Sequence, residues 1–243
     1  MKWKPGGRSS NLEDRRGASG GGGGGGFSFG GGGGGMGGGK LGLGGVVVLL
    51  VLSLVFKQDF LGLGGGGEGA VPAAEQQAAP ITDAREEPTV QFVSFVLDDA
   101  QEVWQRTMPQ LGGQYRDAKL VLFRDATGTA CGYGESATGP FYCPGDEKVY
   151  IDLAFFDELR QRFGAPGDFA QAYVLAHEIG HHVQNVSGTS EQVHRARLQN
   201  RGQANALSVR LELQADCFAG VWAASAAQRG LLHPGDAEEG LAA

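Results

Sequence analysis

The sequence predicts a mixed α+β domain over residues 89–243, held at the end of a glycine-rich tail and one apolar segment. Three observations predict it. Apolar residues recur at helical spacing around Phe169, Tyr173 and Ala176 and again from about Ala204 to Arg229. Short apolar or alternating runs, Leu120–Phe123 and Lys148–Leu153, suit strands. The glycines, 44 of 243 residues, crowd between Gly17 and Gly45 instead of spreading through the chain, so the packed part lies downstream of them.

Residues 1–40 are read as a disordered tail, because glycine loses most entropy on ordering and has no side chain to bury. Lys2, Lys4, Arg8, Arg15, Arg16 and Lys40 make this tail basic within a chain of net charge −7, an asymmetry that points to orientation at a membrane. The acidic balance argues against nucleic acid as a partner. Residues 41–63 follow as a transmembrane anchor: Leu41–Phe56 is almost unbroken in apolar residues, and Phe60-Leu61-Gly62-Leu63 extends it past Lys57 and Asp59. A span needs roughly 20 residues, and Lys57 can reach the interface with its ammonium. The competing readings are a buried core helix and a cleaved signal peptide, whose apolar segment would start nearer the N-terminus. The favoured arrangement is an uncleaved single-pass anchor in the inner membrane, tail in the cytoplasm and catalytic domain outside. Residues 64–88, rich in Gly, Ala, Pro and Glu, serve as a flexible linker.

Within the domain, Leu97–Leu111 is expected to be a helix turning Val103, Trp104 and Met108 inward and ending at Gly112-Gly113. A loop from Asp125 to Asp146 follows the first strand. The next helix, opened by Gly167-Asp168 and stopped at Ser187-Gly188, carries His177-Glu178-Ile179-Gly180-His181. Residues i and i+4 of a helix share a face, so both imidazoles reach one metal ion, and Glu178, rotated away from them, meets a water on that metal. A surface helix with merely polar histidines is the alternative, but a glycine and three histidines in one turn are poor packing choices.

A catalytic zinc takes three protein ligands and keeps one position open. Glu212 and Asp216, at i and i+4 in the last helical pattern, supply the rest: Glu212 as third ligand, Asp216 as acceptor from a ligand histidine, fixing its tautomer. The alternative is a pair of solvated acids near Arg210. Cys131 and Cys143 can close a disulfide if the domain lies outside the cytoplasmic membrane. Cys217, among Phe218, Ala219 and Trp222, is expected to be a buried thiol. Tyr142, Tyr150, His182 and His194 are candidates by residue type for stabilising an oxyanion, each with a structural alternative, and that role stays unassigned.

The segment His177-Glu178-Ile179-Gly180-His181-His182, followed by Glu212-Leu213-Gln214-Ala215-Asp216, resembles the gluzincin arrangement of metallopeptidases. More narrowly, Ser10-Asn11-Leu12-Glu13-Asp14-Arg15-Arg16-Gly17, Gly139-Pro140-Phe141-Tyr142-Cys143-Pro144, Val149–Leu153 and Ser208–Glu212 resemble a bacterial membrane-anchored family of neutral zinc metallopeptidases. The resemblance implies a zincin-like fold, one catalytic Zn2+ on His177, His181 and Glu212, and Glu178 as general base. By analogy with that fold, Val149–Leu153 would run along the cleft and pair with an extended substrate, ordinary packing being the equal alternative. Proteins of that family generally continue beyond the position of Ala243, which leaves truncation of the domain open. Two functions follow: a membrane-anchored zinc endopeptidase hydrolysing peptide bonds with a zinc-activated water, or a catalytically inactive zinc-binding envelope scaffold that binds partners.

Overall fold

The structure, a computed structural model, describes residues 1–17, 84–163 and 167–238, without the side chains of 160–163. Two compact units divide the chain, Met1–Gly21 with Ala73–Ala243, and Gly22–Pro72. The second unit, and with it the expected anchor at 41–63, lies outside the described residues, as does the rest of the expected tail and most of the expected linker. Among the described residues no helix is long and apolar enough to cross a membrane.

A four-stranded sheet organises the domain in the order β1-β2-β6-β5. The strands are β1 (Leu12–Asp14), β2 (Lys119–Phe123), β5 (Phe141–Cys143) and β6 (Lys148–Asp152). β1, β2 and β6 run parallel, while β5 is antiparallel to β6. Side chains alternate across a strand, and both faces are used. Leu120 and Leu122 of β2 and Val149 and Ile151 of β6 join the main core beneath the helices, whereas Val121, Phe123, Tyr150 and Cys143 form a second cluster on the opposite face. The expected half-buried strand at 148–153 is therefore buried on both sides. It is also central: β2 and β5 occupy its two edges, so it cannot be the strand that a substrate extends. The expected loop between the strands instead contains β5 and a hairpin, β3 (Ala126–Thr129) with β4 (Gly132–Glu135). Cys131 and Cys143 are joined in a disulfide, and closing a loop of this size is worth about 3 kcal/mol.

Among the described residues five α-helices accompany the sheet: α1 (Glu87–Thr107), α2 (Ala154–Phe163), α3 (Asp168–Val186), α4 (Thr189–Gln199) and α5 (Ala204–Gln228). α1 begins about ten residues earlier than the sequence suggests, inside the expected linker. Pro88 is the cause of the discrepancy: it sits in the first turn, where a missing N–H costs nothing. A 3-10 turn, Met108–Leu111, carries the chain to Gly112, whose φ of 79° ends the helix as expected. At α3 the cap is Gly167, which has no side chain to offer a hydrogen bond, and Asp168 in the first turn is ion-paired with the Met1 amino group.

The N-terminal residues depart most from expectation. Residues 1–17 are not part of a disordered tail but a structural element of the domain. β1 registers Leu12 against Leu120 and Asp14 against Leu122, Met1 is buried, and Trp3 packs on Phe92 with ring centroids 5.2 Å apart. The basic residues are structural too. The Arg16 guanidinium, 1% exposed, binds Asp14 and Glu86, each at 2.6 Å, Arg8 binds Glu87 at 2.6 Å, and Lys148 reaches Glu13 at 2.9 Å. Of the charges that suggested a membrane-facing tail, Arg8, Arg15 and Arg16 are matched to acids of β1 and the start of α1.

Candidate metal centre

α3 and α5 cross at their small residues. A Cβ added to Gly180 would lie 2.9 Å from the Ala215 carbonyl oxygen and 3.1 Å from its Cα, so only glycine permits this approach. Ala215, Ala219, Trp222 and Ala226 are the residues that α5 buries fully. Residues two positions from Ala215 are turned about 200° away. Cys217 is accordingly exposed rather than buried, a correction to the sequence reading.

The crossing carries Glu212 over the histidine pair. Glu212 Oε2 lies 3.4 Å from His177 Nε2 and 3.2 Å from His181 Nε2, and one ligand atom from each residue falls within 4.8 Å of the others. Zinc bonds to nitrogen and oxygen of about 2.0–2.2 Å place tetrahedral corners roughly 3.3–3.6 Å apart. The two carboxylate–imidazole separations match that edge, and the donor set of two imidazoles and one carboxylate is one that zinc accepts with a position left open. These residues fit a zinc ion.

Hydrogen bonds on the far side of each ring set its orientation. Asp216 Oδ1 lies 2.9 Å from His177 Nδ1, and Gln184 Oε1 lies 2.9 Å from His181 Nδ1. Both oxygens accept, so each Nδ1 carries a proton and each Nε2 is the nitrogen turned toward Glu212, able to offer its lone pair to a metal once its own proton has left. The sequence pointed to Asp216 in this position and missed Gln184. The available signal was the spacing, since Gln184 stands three residues after His181 and shares its helix face.

Burial lowers the tendency of both histidines to hold a proton, but the hydrogen-bonded Glu212 and the nearby Glu178 carboxylate outweigh it. His177 is raised and His181 reaches about 9. Burial would raise Glu212, yet the two histidines win and bring it down to about 2. The cluster therefore holds a carboxylate and proton-binding imidazoles that a cation would displace protons to reach.

Glu178 is turned into the protein beside this cluster, 7% exposed. Burial pushes its carboxyl up from the ordinary range, opposed by the histidines and by the polar backbone of Tyr142 beside it. β5 thus lies against α3 at the catalytic candidate, and among the described residues it pairs only with β6.

The remaining candidates have other partners. His182 is fully buried and donates from Nε2 to the Arg116 carbonyl at 2.6 Å, so its Nδ1 accepts from the Tyr142 hydroxyl at 2.9 Å. Asn185 in turn donates to the Tyr142 oxygen at 3.0 Å. Tyr150 donates to Asp146 at 2.7 Å, and His194 is exposed on α4. None of the four joins the ligand cluster.

Comparison with known proteins agrees with this chemistry. The family model described as "Putative neutral zinc metallopeptidase" matches residues 1–243. The chain is 44% identical over 245 aligned residues to the "Uncharacterized protein YpfJ" of Escherichia coli strain K12, covering 99% of this chain and 81% of that protein. It is 47% identical over 122 residues to the "Uncharacterized protein Rv2575" of Mycobacterium tuberculosis strain H37Rv, covering 50% of this chain and 39% of that protein. No solved structure matches. With a family model spanning its whole length and a two-histidine, one-glutamate cluster at the helix crossing, the chain belongs to the neutral zinc metallopeptidase family.

Proposed function

We propose that the protein is a zinc endopeptidase in which His177, His181 and Glu212 hold one zinc ion and Glu178 is the general base. The observation that carries this reading is the pair of 3.2 and 3.4 Å separations from Glu212 to the two histidines, beside a buried carboxyl that is not a ligand. When bound there, zinc supplies a Lewis acid that polarises the scissile carbonyl and acidifies the attacking water.

The chain's own residues do the rest. Glu178, its affinity for protons increased by burial, takes a proton from the attacking water and returns it to the leaving amine nitrogen. β5 brings the polar backbone of Tyr142 beside that carboxylate. As the edge strand nearest the cluster, β5 offers the backbone against which an extended peptide adds as a further strand, the part that analogy alone gave to β6. Asp216 keeps the His177 ring aligned.

Purified full-length protein tests the proposal through its zinc content per chain and its cleavage of casein or a peptide library, alongside Glu178→Gln. One zinc per chain with cleavage lost in the variant is expected. Stoichiometric zinc with the same background cleavage in both proteins would mean a zinc-binding scaffold instead.

A further inference from the structure

We propose that Gln184 is the positioning residue for His181 and ties that ligand's orientation to helix α5. This rests on the zinc reading above and extends it to a residue that does not touch the metal. Gln184 is fully buried and each of its polar atoms is used. Its Nε2 donates to the Leu211 carbonyl at 2.6 Å and to Gln214 Oε1 at 3.1 Å, while Oε1 faces His181 Nδ1 at 2.9 Å. A carbonyl only accepts, so the Leu211 contact fixes which end of the amide faces His181. The oxygen must point at the ring, the ring must carry its proton on Nδ1, and Nε2 must face Glu212. Leu211 immediately precedes Glu212, so one amide side chain sets both the second histidine and the stretch of α5 that delivers the third ligand. His177 and His181 thus have separate orienting partners, a carboxylate and an amide.

Two substitutions in the full-length protein separate orientation from helix docking. Gln184→Glu loses the donor to Leu211 but still offers His181 an acceptor, whereas Gln184→Met loses both. Zinc affinity, measured by competition with a chromophoric chelator, should fall by about 10–100-fold in Gln184→Met and far less in Gln184→Glu. Equal affinity losses in the two variants, or none in Gln184→Met, would overturn the proposal. A second readout needs no metal: 15N spectra of the metal-free protein at pH 10 should show the His181 proton on Nδ1 in the wild type and a redistributed proton in Gln184→Met. A wild type that binds no zinc would overturn the zinc reading alone, because the spectra still decide the role of Gln184.

A different observation carries a second inference. The geometry points to residues 1–17 and residues 84–238 occupying one compartment, because β1 is hydrogen-bonded within the same sheet as β2. A bilayer crossed once between them would put the two strands on opposite sides and forbid that pairing. The Cys131–Cys143 disulfide favours an oxidising compartment for both. The arrangement expected from the sequence, N-terminus in the cytoplasm and domain outside, is replaced by one with both flanks of the apolar run on the same side. Exposed single cysteines test it: Ser10→Cys and Gln110→Cys, each in full-length protein carrying Cys217→Ser. With a membrane-impermeant maleimide on intact spheroplasts, the two positions should label alike. Labelling of Gln110→Cys without Ser10→Cys would overturn it.

Discussion

Gly180 and Ala215 meet so closely that a methyl group on the glycine would sit 2.9 Å from the Ala215 carbonyl oxygen. This contact sets the spacing of α3 and α5, and through it the distance from Glu212 to the histidines. Gly180→Ala gains up to about 1 kcal/mol of helix propensity. The clash falls on backbone, which cannot swing aside, so overpacking of about 1–3 kcal/mol should prevail. We expect a lower denaturation midpoint together with weaker zinc binding, measured on the same preparation.

Glu178→Gln keeps the shape of the side chain and removes the base. General-base catalysis contributes about 10²–10⁴-fold, so kcat should drop by that factor while zinc content stays at the wild-type level. Loss of zinc along with activity would place Glu178 among the ligands.

The titration of the cluster predicts opposite pH trends with and without metal. In the metal-free protein His181 is raised to about 9 from an unfolded value of about 6.5. Its contribution to stability is complete below the lower value and is lost as pH rises through about 9. Glu212, lowered to about 2, contributes above its unfolded value near 4.3 and loses that contribution as pH falls through about 2. Zinc competes with the histidine protons, so its affinity should increase with pH and level off above about 9. Thermal melts of the metal-free protein and chelator competition from pH 6 to 10 check both slopes.

Arg16 offers a test of the N-terminal element far from the metal. Its guanidinium, 1% exposed, neutralises Asp14 and Glu86. Losing it still leaves Asp14 with Arg8 and Glu86 with Arg124, so the cost falls below that of a stranded buried charge, to about 1–3 kcal/mol. Arg16→Ala should lower stability by this order in chemical denaturation, and a change below 1 kcal/mol would show that residues 1–17 are dispensable to the fold.

What the sequence determined alone was local. The two histidines and Glu178 lie within one helical turn and a half, so helical geometry is enough to pair the imidazoles and set the acid apart. The same holds for Glu212 with Asp216, and for the alternation of β2 and β6. Tertiary structure decided which elements are neighbours. A three-residue β1 in a basic, glycine-flanked segment shows no period of its own, and it exists because the edge of β2 and the acids Glu86 and Glu87 at the start of α1 receive it. β5 became the open edge, and β6 the centre, through pairing between segments that no single-strand pattern records. Gln184 gained its role only when α5 brought the Leu211 carbonyl within 2.6 Å. Periodicity is written within an element by its own backbone geometry, whereas contacts between elements arise from packing across the whole chain.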